Sequence, residues 1–598
     1  MKKSLLILAA GLVGTWSWSC SHSPSRVARD PSAATGAYSL LAITDFHGAL
    51  ESDTAIVGDR QTVTFGGAEA LSAYIHRLRG ALGPSLLVDG GDLFQGTMLS
   101  NSYEGAPVIR FYNELGVDAA ALGNHEFDFG PAGEKAIPMT SADDAQGALK
   151  ERVREAHFPF LAANVRDPKQ KLPDWVKPSI VKEVNGVRVG VIGVSDPHTP
   201  STTNALNLVG LEFLDATSTA ALITAEARRL REEEGVRSIV LTSHIGAICR
   251  DNSLERIDDL SSCDATDIFQ ILKMIPAGTV DAVVAGHTHR QVIKRVNGAL
   301  VLQSGSSGKY VGWAKVEVRE GAPNTVIFGG MVPVCVTVLR GQGFESCDSY
   351  ELKGKSGVIA KASFLGSDVA PDSSVTKLYE KELAEIAEKK NAPVGNVSLD
   401  REFTRSYNGE SVLGNLVADL QLAMHPSADI GMTNGGGLRN NLPQGQLIYN
   451  HIFRLMPFDN QLAIVKVTPP QLEALIRSGA SGKSGAYVFS KNVRFELKKC
   501  LPQNIRVNDR PLAEFAADHV FRVAMSDFLA GGGSGVREVG LPPDAAEILW
   551  SREYILRDAM VRVLKSWNRP LKASEFMDPA RPRQVILEAC PAPASSGK

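Results

Sequence analysis

An α/β architecture divided into two large domains is what this sequence predicts, and three observations carry the expectation. At 598 residues the chain is too long for one core. From Tyr38 to about Val318, apolar β-branched runs alternate with helical patterns, the order that builds layers of sheet and helix. Five short polar strings recur along the same stretch: Asp45-Phe-His47-Gly, Gly91-Asp92, Gly123-Asn124-His125-Glu126-Phe-Asp128, Ser243-His244-Ile-Gly246 and Gly286-His287-Thr-His289. Each follows an apolar run, so their Asp, Asn and His side chains should meet in the crevice at the carboxyl ends of a buried sheet.

The elements follow in order. Met1-Lys2-Lys3 and the apolar stretch Leu5 to Val13 read as a secretory signal, and Cys20 stands where a lipoprotein signal places its acylated cysteine. A Ser, Pro and Ala-rich tether comes next. Strands are expected at Leu40–Ile43, Leu86–Val88, Ala119–Leu122, Phe160–Val165, Val187–Val194, Ile239–Leu241, Ala282–Val284 and Val301–Gln303, with helices at Ala68–Arg79 and Ala216–Glu234. Val375–Lys390 reads as a charged, solvated helix near the domain connection. Beyond it, helices are expected at Ser411–Met424, Pro470–Arg477 and Glu553–Trp567, and strands at Ile430–Thr433, Leu462–Val467 and Val520–Met525.

A net charge of −3 gives no electrostatic case for nucleic acid or an anionic membrane surface. Any membrane attachment would run through a lipid on Cys20, and no protein partner is implied. Setting Cys20 aside leaves Cys249, Cys263, Cys335, Cys347, Cys500 and Cys590, an even set that suggests disulfides in an oxidising compartment. Pairing Cys249 with Cys263, and Cys335 with Cys347, closes short loops worth ~3 kcal/mol each in the chain-entropy model. Cys500 with Cys590 would tie down the last segment.

The five strings supply the hard-oxygen and imidazole ligands that two divalent ions need. Such a pair clamps the attacking and leaving oxygens of a displacement and lowers the pKa of bound water from 15.7 toward ~7. Asp92 is the natural bridge between the ions. Asp45 with His47, and His287 with His289, have spacing that lets both members face one ion, and Asn124 offers a neutral carbonyl oxygen. His125 is left free, with Asp128 three residues on to orient it and favour its imidazolium. Zinc or manganese suits this mixed set better than magnesium.

Together the strings resemble the calcineurin-like metallophosphoesterases, and their wording, Thr-Asp-Phe-His-Gly, Gly-Asp-Leu-Phe-Gln-Gly and Gly-Asn-His-Glu-Phe-Asp, resembles the 5′-nucleotidase and UDP-sugar hydrolase branch. The resemblance implies one ion on Asp45, His47, Asp92 and His289, the other on Asp92, Asn124, His244 and His287, and a catalytic dyad of His125 and Asp128. It implies a layered metallophosphoesterase domain at 38–353, a helical linker at 354–392 and an α/β substrate-binding domain at 393–592. The signal would occupy 1–20, the tether 21–37 and a tail 593–598.

In the second domain, the Gly-rich turn Asn434-Gly435-Gly436-Gly437 exposes backbone N–H groups, and Arg439 beside it suits phosphate. Phe458 and Phe528 could sandwich a planar base. By the resemblance, Arg401, Arg405 and Arg439 hold phosphate, Asn434 holds the nucleoside, and the two Phe rings stack on the base. One position departs from the family, which commonly has Gly-Gly-Asp-Gly-Phe where this chain reads Gly532-Gly533-Ser534-Gly535-Val536. Ser534 cannot accept from two vicinal hydroxyls as a carboxylate can.

The expected function is therefore an exported phosphohydrolase, periplasmic or on the cell surface. It would act on nucleoside 5′-monophosphates, with di- and triphosphates open, by attack of metal-activated hydroxide and without a phosphoenzyme. UDP-sugar hydrolysis, 2′,3′-cyclic nucleotide cleavage and a thiosulfohydrolase activity are the enzymatic alternatives. A non-catalytic nucleotide-binding surface protein is the alternative of another class.

Overall fold

A computed structural model describes residues 34–588 apart from 58–60, 134, 265, 349–350, 481–484, 543–544 and 551. The expected signal, Cys20, most of the tether, the tail and the Cys500–Cys590 pairing lie outside the described residues. Among those residues, no helix is long and apolar enough to cross a membrane.

Two six-stranded sheets lie face to face in the first domain. In one, Ala34–Ile43, Ser85–Asp89, Ala119–Ala121 and Phe160–Leu161 run parallel, and Tyr310–Arg319 and Thr325–Pro333 close the other edge antiparallel. In the other, Val187–Val194, Ser238–Ser243, Ala282–Ala285 and Ala299–Ser304 are parallel, with antiparallel strands Ser179–Val184 and Gln291–Val296 at the edges. Strand alternation explains the layering. Leu40 and Ala42 face the core between the sheets with Val191, Val240 and Val284, whereas Leu41 and Ile43 face the opposite side. Both faces are covered, so the strands read as unbroken apolar runs.

Helix Ala216–Glu234 matches its expected bounds, and its ends show why. The Asp215 side chain accepts from Ser218 N, and Gly235 closes the helix in the left-handed conformation at φ 61°. Ala220, Ile223, Ala227 and Leu230 form its buried stripe. The expected strand Phe160–Val165 is instead two short ones, Phe160–Leu161 and Val165–Arg166. Ala163 N turns away between them to donate to Gly193 O of the second sheet. Val375–Lys390 divides into a 3₁₀ turn, Val375–Leu378, and helix Glu380–Asn391.

Within the expected linker, Val358–Lys361 pairs with Thr337–Gly341, and the helix that follows contacts the first domain through Arg110–Glu382 at 2.5 Å and Tyr103–Glu385 at 2.6 Å. The second domain carries a five-stranded sheet in the order Tyr487–Phe489, Ile430–Asn434, Phe521–Ser526, Leu462–Val467 and Ala546–Ile548. Helix Val412–Met424, capped by Ser411, packs beside it. Two disulfides form as expected, Cys249–Cys263 and Cys335–Cys347.

Candidate active site

The polar strings meet where the parallel strands of both sheets end. Thr44 to Gly48 follows the strand Ala34–Ile43, Gly90 to Asp92 follows Ser85–Asp89, and Asn124 follows Ala119–Ala121. From the facing sheet come His244 after Ser238–Ser243, and His287 and His289 after Ala282–Ala285. These residues bend sharply into the crevice. Asp45, His47, Asp92, His287 and His289 all have φ between 49° and 76°, a left-handed conformation that costs non-glycine residues and concentrates at functional sites. Gly91, at φ 94°, lies so close to His244 that a Cβ would stand 2.6 Å from its Nδ1.

Four of the expected ligands, Asp45, His47, Asp92 and His289, offer donor atoms within 4.8 Å of one another. Asp92, His244 and His287 form a second such group. His47 Nδ1 lies 2.7 Å from Gln95 O and His244 Nδ1 lies 2.8 Å from Gly90 O, so each donates there and turns its Nε2 lone pair inward. Inward-facing acceptors then crowd together. His47 Nε2 is 2.9 Å from His289 Nε2, and Asn124 Oδ1 is 3.2 Å from His244 Nε2 and 3.0 Å from His287 Nδ1. Asp92 Oδ2 is buried without a hydrogen bond, 3.0 Å from His244 Nε2 and 3.7 Å from His47 Nε2. Converging lone pairs around an unsatisfied carboxylate oxygen fit divalent cations, with Asp92 reaching both groups.

His125 stands beside the expected ligands. Its Nδ1 is 2.6 Å from Asp128 Oδ2, and its backbone N donates to Asp92 Oδ1 at 2.9 Å. Burial disfavours a charged ring here, but Asp128 and Asp92 outweigh it and hold His125 above its usual pKa. Three residues with no role assigned from the sequence support this centre. Glu126 accepts from the backbone N of Asp92, Leu93 and Gly123 at 2.9, 2.6 and 2.7 Å, tying two site loops together. Thr203 Oγ1 donates to Asp128 Oδ1 at 2.6 Å. Thr202 O faces Asn124 Nδ2 at 3.5 Å, which turns the Asn124 Oδ1 inward.

The second domain faces this centre across a cleft of about 2280 Å³ lined by residues of both domains. Phe458 stacks on His125 with centroids 5.6 Å apart and planes at 24°, and the Arg439 guanidinium lies 5.8 Å from the Phe458 ring. Buried Arg557 pins this turn from behind, donating to Pro457 O at 3.2 Å, Phe458 O at 3.3 Å and Asp459 Oδ1 at 2.5 Å. Arg405, Asn434, Gly436, Phe528 and Ser534 also line the cleft. Asn434 Nδ2 donates to Ser534 Oγ at 3.0 Å. Arg401 is exposed and is not part of the lining, so the structure does not bring it to the other residues. Tyr407, Asn460 and Asp527 line the cleft too and had no assigned role in the sequence.

Fold and site together define a metal-dependent phosphoester hydrolase. The calcineurin-like phosphoesterase profile matches residues 38–291 and the 5′-nucleotidase C-terminal domain profile residues 386–539. Protein UshA of Yersinia enterocolitica is 25% identical over 521 residues, covering 83% of this chain and 85% of its own length. A 5′-nucleotidase of Vibrio cholerae is 24% identical over 535 residues, covering 85% and 88%. The crystal structure of a 5′-nucleotidase precursor from Thermus thermophilus has the same fold, at a TM-score of 0.70 and 21% identity over 93% of this chain and 100% of the other. The chain belongs to the 5′-nucleotidase family of calcineurin-like phosphoesterases.

Proposed function

We propose that this protein is an exported, two-metal hydrolase that releases phosphate from nucleoside 5′-monophosphates. The observation that carries the reading is the placement of Phe458 and Arg439, from the second domain, against His125 and the clustered ligands of the first. A base, a phosphate and two cations then have their partners in one cleft. Asp45, His47, Asp92 and His289 would hold one ion, and Asp92, Asn124, His244 and His287 the other. Zinc or manganese suits the four imidazoles. When bound, the ions supply Lewis acidity and activate water.

The chain's own residues do the rest. Arg439, and Arg405 nearby, attract the phosphate. Phe458 and Phe528 stack on the base, and the Gly436 backbone borders it. His125, kept charged by Asp128, stabilises the oxygens of the transferring phosphoryl group or protonates the departing ribose oxygen. Ser534, already accepting from Asn434, offers the sugar one hydroxyl. Ribonucleotides and deoxyribonucleotides should therefore turn over at similar rates. Export is supported by the basic and then apolar run from Met1 to Val13 in the sequence, which suits a secretory signal, and by the two disulfides.

The test is phosphate release by metal-free protein given manganese or zinc, across AMP, deoxy-AMP, UMP, ATP, UDP-glucose, 2′,3′-cyclic AMP and bis-p-nitrophenyl phosphate, with added phosphatase in parallel. Metal-dependent turnover of monophosphates is expected. Turnover of the generic diester alone would defeat the substrate assignment. His125→Ala should retain metal and lose on the order of 10²–10⁴ in rate. A non-catalytic nucleotide receptor would show no turnover in either protein.

A further inference from the structure

The segment Ser195 to Thr203 supplies none of the expected ligands, yet it backs three site residues. It follows the strand Val187–Val194, which runs parallel to the strand carrying His244. Its start is fixed in place. Asn164, fully buried, donates to Ser195 O at 2.8 Å and accepts from Ser195 N at 2.9 Å, and Ser195 Oγ donates to Leu122 O at 2.5 Å. Its end touches Asn124 through Thr202 O and Asp128 through Thr203. Between them sits Asp196, 4% exposed. One carboxylate oxygen accepts from His198 N at 2.8 Å, and the other lies 3.3 Å from His287 Nε2.

His287 Nδ1 faces inward, 3.0 Å from Asn124 Oδ1, so its Nε2 is the ring nitrogen left for a partner outside. We infer that Asp196 is a positioning residue for the metal centre: its carboxylate, in charge contact with Nε2 at 3.3 Å, attracts the Nε2–H of His287 and so favours the ring orientation and the tautomer that turn the Nδ1 lone pair toward the ion. This rests on the two-metal reading above. A carboxylate behind a ligating imidazole aims the ring and raises its basicity, and losing such a partner weakens metal binding by about 10–100-fold. The effect belongs to the ion shared by Asn124, His244 and His287; His47, oriented by Gln95 O, is independent of Asp196.

Asp196 also neighbours His198 and Asp267, and the three could hold a cation themselves. That alternative is disfavoured because His198 Nε2 already pairs with Asp267 Oδ2 at 2.9 Å on an exposed face. Titration of metal-free full-length protein with manganese or zinc, by calorimetry and by metal analysis after dialysis, separates the two. Asp196→Ala should bind one ion about 10–100-fold more weakly and the other as wild type does. That ion should be the one His287→Ala abolishes. Asp196→Asn, which keeps an acceptor for Nε2–H, should recover part of the loss, and His198→Ala should bind as wild type.

Wild-type affinities in Asp196→Ala, or loss of the same ion in His198→Ala, would overturn the inference. Weakening of both ions together with a lowered melting temperature would also overturn it, since that marks a merely structural role. A wild-type protein binding fewer than two ions would contradict the two-metal reading instead. The comparison of Asp196→Ala with His287→Ala would still decide the role of Asp196.

Discussion

His125 is gripped at one ring nitrogen by Asp128, and Asp128 is gripped in turn by the Thr203 hydroxyl. Thr203→Val keeps the shape of that side chain and removes the donor. One hydrogen bond to a carboxylate is worth roughly 1.5–3 kcal/mol, of which only part reaches the transition state, so kcat should fall about tenfold with metal content unchanged. Unaltered kcat would show that Asp128 holds its ring without help. Asp527 makes a different prediction. Burial pushes its carboxyl up to about 6, against the opposing hydrogen bonds from Asn460 and from the Phe528 and Gln461 backbone. The native state therefore keeps a proton that the unfolded chain releases near its ordinary value of 3.8. The unfolded state binds fewer protons between those values, so stability falls as pH rises from about 4 to about 6, by up to ~3 kcal/mol. Urea midpoints across that range should show the decline in wild type and lose that part of it in Asp527→Asn.

Among the elements, the contact between the two sheets is the most exacting. Gly193 lies where the strand Val187–Val194 meets Leu161 of the other sheet, and a Cβ there would stand 2.1 Å from Leu161 Cβ and 2.6 Å from its carbonyl. Backbone on the far side cannot yield as a flexible side chain would. Gly193→Ala should therefore cost ~1–3 kcal/mol, read as a lower denaturant midpoint. Because Ser195 and His244 follow from these strands, the same variant should also bind metal more weakly. A wild-type midpoint would mean that the sheets can slide apart locally.

At the scale of the molecule, the domains meet through Phe458 on His125, Asn101 Nδ2 donating to Pro457 O at 2.9 Å, and Arg454 paired with Asp53 at 3.0 Å. Phe458 resting on His125 leaves no room for a base and a phosphate between them. A nucleotide that stacks on Phe458 while its phosphate reaches the metal ligands must separate the two rings. The interdomain ion pair is partly exposed and so is worth at most ~1 kcal/mol, a small barrier to such a movement. Small-angle scattering with a non-hydrolysable AMP analogue should give a distance distribution different from that of the free protein. An identical distribution at saturation would place the base elsewhere.

The layers, most of the strands and helices, and the convergence of Asp45, His47, Asp92, Asn124, His244, His287 and His289 were legible along the chain alone. Unbroken apolar runs mark doubly covered strands, and chemistry at strand ends is written as short local strings. The pairings Cys249–Cys263 and Cys335–Cys347 could be read for the same reason, being close in sequence. Other features depend on contacts between distant segments or on backbone angles, and these emerged only once the chain was folded. The left-handed turns at five of the expected ligands, the roles of Glu126, Thr203, Arg557 and Asp196, and the placement of Arg401 outside the cleft carry no local pattern. Each of these residues is ordinary where it stands in the chain. Its role arises from which lone pair or N–H of another strand it faces once two sheets and two domains have closed around one crevice.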